Sequence, residues 1–181
     1  KPIFSKFKKN KITNYLSEFD SKNLIQELGI KTIPNGKGET LSEIISIARK
    51  IDYPLTLKAN SSSLLHKTEI DAVSLDIRNE NELRNAYKKI SKRLNLQSNL
   101  DGWIVEKFMP GIEVIVGALK DKTFKTLISI GSGGTLVELI SDLQIRLAPI
   151  DYKMSMEMIR GLKGKLLLDG YRSKEKTNIP A

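Results

Sequence analysis

Apolar positions recur at helical spacing from Phe19 through Leu24, Ile25 and Leu28, with Ser17 ahead of them as an N-cap and Gly29 behind them as a stop. A second helix is predicted from its cap at Thr40 to Ile51, with Leu41, Ile44, Ile45 and Ala48 on one face. Asn79 caps a third that runs to about Leu94. Ile30-Lys31-Thr32-Ile33 alternates like a short strand, and Pro34-Asn35-Gly36 reads as the turn that ends it. Pro54 to Lys58 reads as a strand leaving the second helix, and Val73 to Ile77 alternates as another.

Near residue 100 the texture changes. Trp103 to Phe108, Glu113 to Leu119 and Phe124 to Ile130 read as strands with short connections, the pattern of an antiparallel sheet, which Gly131-Ser132-Gly133-Gly134 ends. Thr135 to Leu147 carries no decided pattern; Met154 to Leu162 is a helix, and Leu166-Leu167-Leu168 closes the readable part. The order predicts an α+β fold with two lobes rather than one doubly wound sheet. The expected division is a basic tail or linker over residues 1–15, a first lobe over 16–102 and a second over 103–181. A cleft between lobes is the default ligand site.

Composition narrows the class. The 181 residues are 40% apolar, enough for a real core, and contain no cysteine, which excludes disulfides and cysteine-ligated metals and fits the cytoplasm. No apolar run approaches the roughly 20 residues of a membrane helix, and the Lys-rich N-terminus lacks a signal peptide's apolar stretch. A net charge of +9 favours polyanionic ligands. Much of the excess lies in Lys1, Lys6, Lys8, Lys9 and Lys11, read as a solvated arm; without a zinc finger, basic heptad or RNP motif, no nucleic-acid partner is expected.

Four segments could carry chemistry. In Lys58-Ala59-Asn60-Ser61-Ser62-Ser63-Leu64-Leu65-His66-Lys67, two lysines and the only histidine flank a hydroxyl-rich loop at a strand end. Lysine suits phosphate oxygens, and a neutral imidazole nitrogen is a competent phosphoryl acceptor. Gly131-Ser132-Gly133-Gly134-Thr135-Leu136-Val137-Glu138 allows backbone N–H groups to approach an anion, but has neither Walker A nor Rossmann spacing. Val105 to Glu113 could offer main-chain edges to a flat base and a carboxylate, Glu113, to ribose hydroxyls. Arg146, within Asp142 to Pro149, could stabilise phosphate charge. Each has an ordinary reading too: a solvated loop histidine, a hairpin turn, an exposed carboxylate, a surface arginine.

Together and in order, these segments resemble the ATP-grasp domain of ADP-forming acetyl-CoA and related acyl-CoA synthetases, relatives of the succinyl-CoA synthetase β subunit. The resemblance runs from about residue 16 to 172 through Glu27-Leu28-Gly29-Ile30, Tyr53-Pro54-Leu55-Thr56-Leu57-Lys58, Ser61 to Lys67, Glu113 to Ala118 with Asp121 and Phe124, Gly131 to Pro149, and Leu167 to Arg172. It implies an ATP-grasp fold, with the nucleotide cleft between two α+β lobes, and the reaction acid + CoA + ATP = acyl-CoA + ADP + phosphate. His66 matches a phosphohistidine relay. Lys58 matches the lysine on nucleotide phosphates, with Ser61 and Lys67 in the same loop. Glu106, Phe108 and Glu113 match the hinge and ribose region, and Gly133, Gly134 and Glu138 the second-lobe glycine turn; Arg146 joins the phosphate set.

The implied ligands are ATP or ADP with Mg²⁺, and the implied partner is a CoA-binding α subunit or α-like domain with its own phosphohistidine. The family's D-x-N-P metal stretch would lie past Ala181, leaving the second lobe truncated, and Asp71 and Ala72 stand where the family pattern has glycines. These departures leave a second reading, a non-catalytic or regulatory ATP-grasp-like nucleotide-binding module.

Overall fold

The computed structural model describes residues 16–60, 72–94, 100–134 and 142–170. They belong to two compact units, residues 1–109 and 110–181.

The first unit is a four-stranded sheet with helices whose starts follow the caps read from sequence. Ser17 Oγ accepts the Asp20 N–H at 3.1 Å and opens α1 (Glu18–Glu27), and Gly29, at φ +85°, lets the chain leave it. After β1 (Asn35–Gly38), a full capping box of Thr40 and Glu43 starts α2 (Leu41–Ile51). The chain then forms β2 (Leu55–Ala59) and β3 (Val73–Ile77). Asn79 Oδ1 accepts the Glu82 N–H at 3.0 Å at the head of α3 (Glu80–Leu94), and β4 (Trp103–Lys107) follows.

The sheet order is β1-β4-β2-β3, antiparallel throughout. Strand alternation divides it into two faces. Leu55, Leu57 and Ala59, with Ile77, Trp103 and Val105, meet Ile44 and Ala48 of α2 and Leu83, Ala86 and Ile90 of α3 in one core. Fully burying a large apolar side chain of this kind contributes about 1.5–3 kcal/mol. The other face carries Thr56, Lys58, Ile104 and Glu106, with Thr56 opposite Glu106 and Lys58 opposite Ile104.

Two sequence expectations are corrected here. Residues 30–33 form no strand; the paired strand is β1, which includes Asn35 and Gly36 of the stretch read as a turn. Gly36 and Gly38 are extended because α2 lies against them. A Cβ on Gly36 would sit 2.7 Å from Ile47 Cγ2, and one on Gly38 3.1 Å from Glu43 Cβ. The glycines serve close approach rather than a bend. The division of the chain also falls after Met109, not at 102/103. The reason is β4, which pairs with both β1 and β2 and so cannot belong to the second sheet.

The second unit is a meander of β5 (Val114–Asp121), β6 (Lys125–Ser132) and β7 (Leu143–Leu147), in that order and antiparallel. Asp121 Oδ1 accepts the N–H groups of Thr123 and Phe124 at 2.7 and 2.8 Å, which turns β5 into β6. The undecided stretch before residue 147 is therefore a strand in its described part. Asp151 Oδ1 accepts the Met154 N–H at 2.7 Å and starts α4 (Tyr152–Arg160); α5 (Lys165–Leu168) follows. Ile115, Leu119, Leu143, Ile145 and Leu147 share one face of this sheet by register and are exposed.

Candidate functional site

Lys58 lies on β2, on the face turned away from the apolar core, and α1 brings two more charges to it. Its Nζ lies 2.6 Å from Glu106 Oε1 and 2.9 Å from Glu18 Oε1. Lys22 Nζ lies 2.9 Å from the same Glu18 oxygen and bonds the other Glu106 oxygen, Oε2. The result is a ring of alternating charge: Lys58, Glu106, Lys22, Glu18. The Glu106 side chain is only 6% exposed, so it needs both cations to offset its desolvation. Burial alone would lower the Lys58 pKa; the hydrogen bond to Glu106, followed by the charges of Glu18 and Glu106, outweighs it and holds the ammonium above its usual value.

At the end of β2 the backbone of Asn60 is satisfied, its N–H donating to Gly102 O and its C=O accepting from Asp101 N–H, both at 2.8 Å. Its side chain is fully buried, and among the described residues neither Nδ2 nor Oδ1 has a hydrogen-bond partner. Phe108, just past β4, is half-buried, and its N–H donates to Pro54 O at 3.0 Å.

In the second unit the structure brings Glu113, Gly133 and Gly134 together. The Gly133 N–H donates to Glu113 O at 2.7 Å, and a Cβ on Gly133 would meet the Glu113 backbone carbon at the same separation. Gly134 adopts φ +67°, and a Cβ there would lie 3.0 Å from Glu113 Oε2. The glycine turn is thus required by backbone contact with the predicted ribose carboxylate. Arg146, on β7, is exposed and donates from Nη1 to Ile145 O at 2.8 Å; among the described residues it is not joined to Glu113 or the glycines. His66, Ser61, Lys67 and Glu138 lie outside the described residues, as does Asp71.

Sequence reasoning passed over Glu18 and Lys22, although their i, i+4 spacing in the first turns of a capped helix was a legible signal. It also passed over Asp142, whose buried carboxylate accepts from Ser132 Oγ at 2.6 Å, Lys163 N–H at 2.7 Å and Gly164 N–H at 2.8 Å. Burial would raise its pKa, but these bonds, the one from Ser132 foremost, hold it below the usual aspartate value. The carboxylate fastens the turn between α4 and α5 to the end of β6.

A family model described as ATP-grasp domain matches residues 8–181. The β subunit of acetate–CoA ligase [ADP-forming] I from Pyrococcus furiosus is 32% identical over 92% of this chain and 73% of its own length. Acetate–CoA ligase [ADP-forming] II from Archaeoglobus fulgidus is 32% identical over 87% of this chain but 23% of its own. Among solved structures, an acetyl-coenzyme A synthetase 1 of Ca. Korarchaeum cryptofilum superimposes with a TM-score of 0.87 at 32% identity, covering 92% of this chain and 74% of that one, in a complex with coenzyme A, Ca-AMPCP and HgCl+. A second structure of that enzyme, with coenzyme A and Mg-AMPPCP and its phosphohistidine segment pointing towards the nucleotide binding site, gives 0.75 at 32% identity over 91% and 71%. The chain belongs to the ATP-grasp domain family and has its α+β fold, within the branch that holds the β subunits of ADP-forming acetate–CoA ligases. It spans about a quarter of the length of the longer relatives, 23% and 26% of two of them.

Among the described residues no group of three or more His, Asp or Glu could hold a metal ion, and no helix is long and apolar enough to cross a membrane.

Proposed function

We infer that this chain is the nucleotide-binding portion of an ADP-forming acyl-CoA synthetase, acting in the cytoplasm with a CoA-binding α subunit or α-like domain. The observation that supports it most is Lys58: a partly buried ammonium, held charged on the polar face of the sheet, in a chain that matches separate β subunits of such enzymes along most of its length. A fixed cation is what phosphoryl transfer asks of a protein, since the step needs positioning and charge neutralisation more than covalent machinery. Glu113, packed on the Gly133–Gly134 turn, supplies a ribose acceptor. Phe108 flanks the base, Glu138 belongs to the second-lobe glycine turn, and Ser61, Lys67 and Arg146 add donors and positive charge around the phosphates.

In the proposed relay a neutral nitrogen of His66 attacks a phosphoryl group delivered by the partner's phosphohistidine. One N–P bond forms as another breaks. The β-phosphate oxygen of ADP then attacks that phosphorus, forming ATP and returning the imidazole to its neutral state. The substitution His66→Ala in the full-length protein, assayed with its α partner, should abolish acid-labile phosphate labelling of this chain while ADP still binds. Labelling that survives the substitution takes His66 out of the mechanism.

The second reading, a regulatory nucleotide-binding module, starts from a departure from the family pattern. Ala72 stands where the family pattern has a glycine; it is fully buried, and its C=O accepts the Ala59 N–H at 3.0 Å. Tight ATP binding without any labelling in the presence of the partner would select that reading.

A further inference from the structure

Lys58 is not a lone cation. Glu18 and Lys22 reach it from α1, which nothing in the proposed relay uses. The four side chains Lys58, Glu106, Lys22 and Glu18 carry two positive and two negative charges, and each contact joins opposite signs. Glu18 Oε1 serves both ammonium groups at 2.9 Å, while the two oxygens of Glu106 take one each. Most of each side chain is removed from solvent, with exposures of 21% for Lys58, 6% for Glu106, 19% for Lys22 and 27% for Glu18. On an exposed helix an i, i+4 pair is weak and screened; here burial makes each charge felt by its neighbours.

We propose that Glu18 and Lys22 are positioning residues that fix the Lys58 ammonium and set the net charge that a nucleotide phosphate meets there. The proposal rests on the nucleotide reading of Lys58 given above. Without the Lys22 charge, Glu18 and Glu106 both close on Lys58, and the remaining trio carries a net negative charge that repels a polyphosphate. Without the Glu18 charge, the remaining trio is positive and, among the described residues, Lys58 is held by Glu106, leaving more of its donors to the phosphate. Removing both charges restores neutrality. The charge account therefore demands an order of affinity that a purely structural role of α1 does not: a structural role lets every substitution weaken binding, and the double substitution most.

The test is a calorimetric titration of ADP into the full-length protein, at low and at high salt. Glu18→Gln should tighten binding severalfold, Lys22→Met should weaken it about tenfold, and the double variant should return to within about twofold of wild type. Lys22→Arg, which keeps the charge, should bind like wild type, and high salt should narrow the spread between variants. A double variant weaker than Lys22→Met, or Glu18→Gln that fails to tighten binding, overturns the proposal. If Lys22→Met does not fold, Glu18→Gln and a double variant compared with wild type still decide it, a double variant that binds much more weakly than wild type overturning the proposal. Wild-type protein that does not bind ADP overturns the nucleotide reading itself. Wild-type binding without the predicted order overturns only the role of α1.

Discussion

At the scale of single residues, the charged groups make opposite demands on pH. The folded pKa of Lys58 lies above its unfolded value, so its contribution to stability is complete below the ordinary lysine value of 10.5 and is lost as pH rises through the folded value. The stability gap between wild type and Lys58→Met, read by thermal unfolding, should therefore hold constant from neutral pH to that point and close above it. Asp142 has the reverse sign. Its folded pKa is depressed, so its contribution is present above the ordinary aspartate value of 3.8 and is lost as pH falls through the folded value. Asp142→Asn should cost about 1.5–3 kcal/mol near neutrality, the range for hydrogen bonds to a charged group, with the cost vanishing in strong acid. Urea unfolding across that range measures it. An equal cost at all pH values would mean that shape rather than charge holds the turn between α4 and α5.

At the scale of elements, local chemistry decided most starts and stops. Ser17, Thr40 and Asn79 each accept the backbone N–H three residues on, as their residue types predict. Thr40→Ala should cost about 1 kcal/mol, measured by denaturant unfolding. The sequence reading failed where a neighbour in space, not in sequence, set the conformation. Gly36 looks like a turn residue, yet the contact that explains it is with Ile47 of α2. Trp103 to Lys107 was correctly read as a strand but given to the wrong lobe, because its partners β1 and β2 are distant in the chain. Gly36→Val tests this view: steric conflict with Ile47 should destabilise the first unit by about 1–3 kcal/mol, whereas a simple turn position would tolerate the change.

At the scale of the molecule, the family and the α+β fold were legible because the motifs occur in fixed order, each too weak alone. Lys58 and Glu106 were picked out as separate members of that pattern. Their direct contact, and its extension to Glu18 and Lys22, followed from a register that no local pattern encodes. Glu113 was likewise chosen apart from the Gly133–Gly134 turn, and the two are in direct contact. The two clusters belong to different units, each built on its own sheet. Whether the Lys58 cluster receives nucleotide phosphate is decided by titrating ADP into wild type and Lys58→Met by calorimetry, with circular dichroism to confirm the fold. Wild type should bind ADP, and Lys58→Met should bind it at least about tenfold more weakly. Equal affinity in the two folded proteins would contradict it.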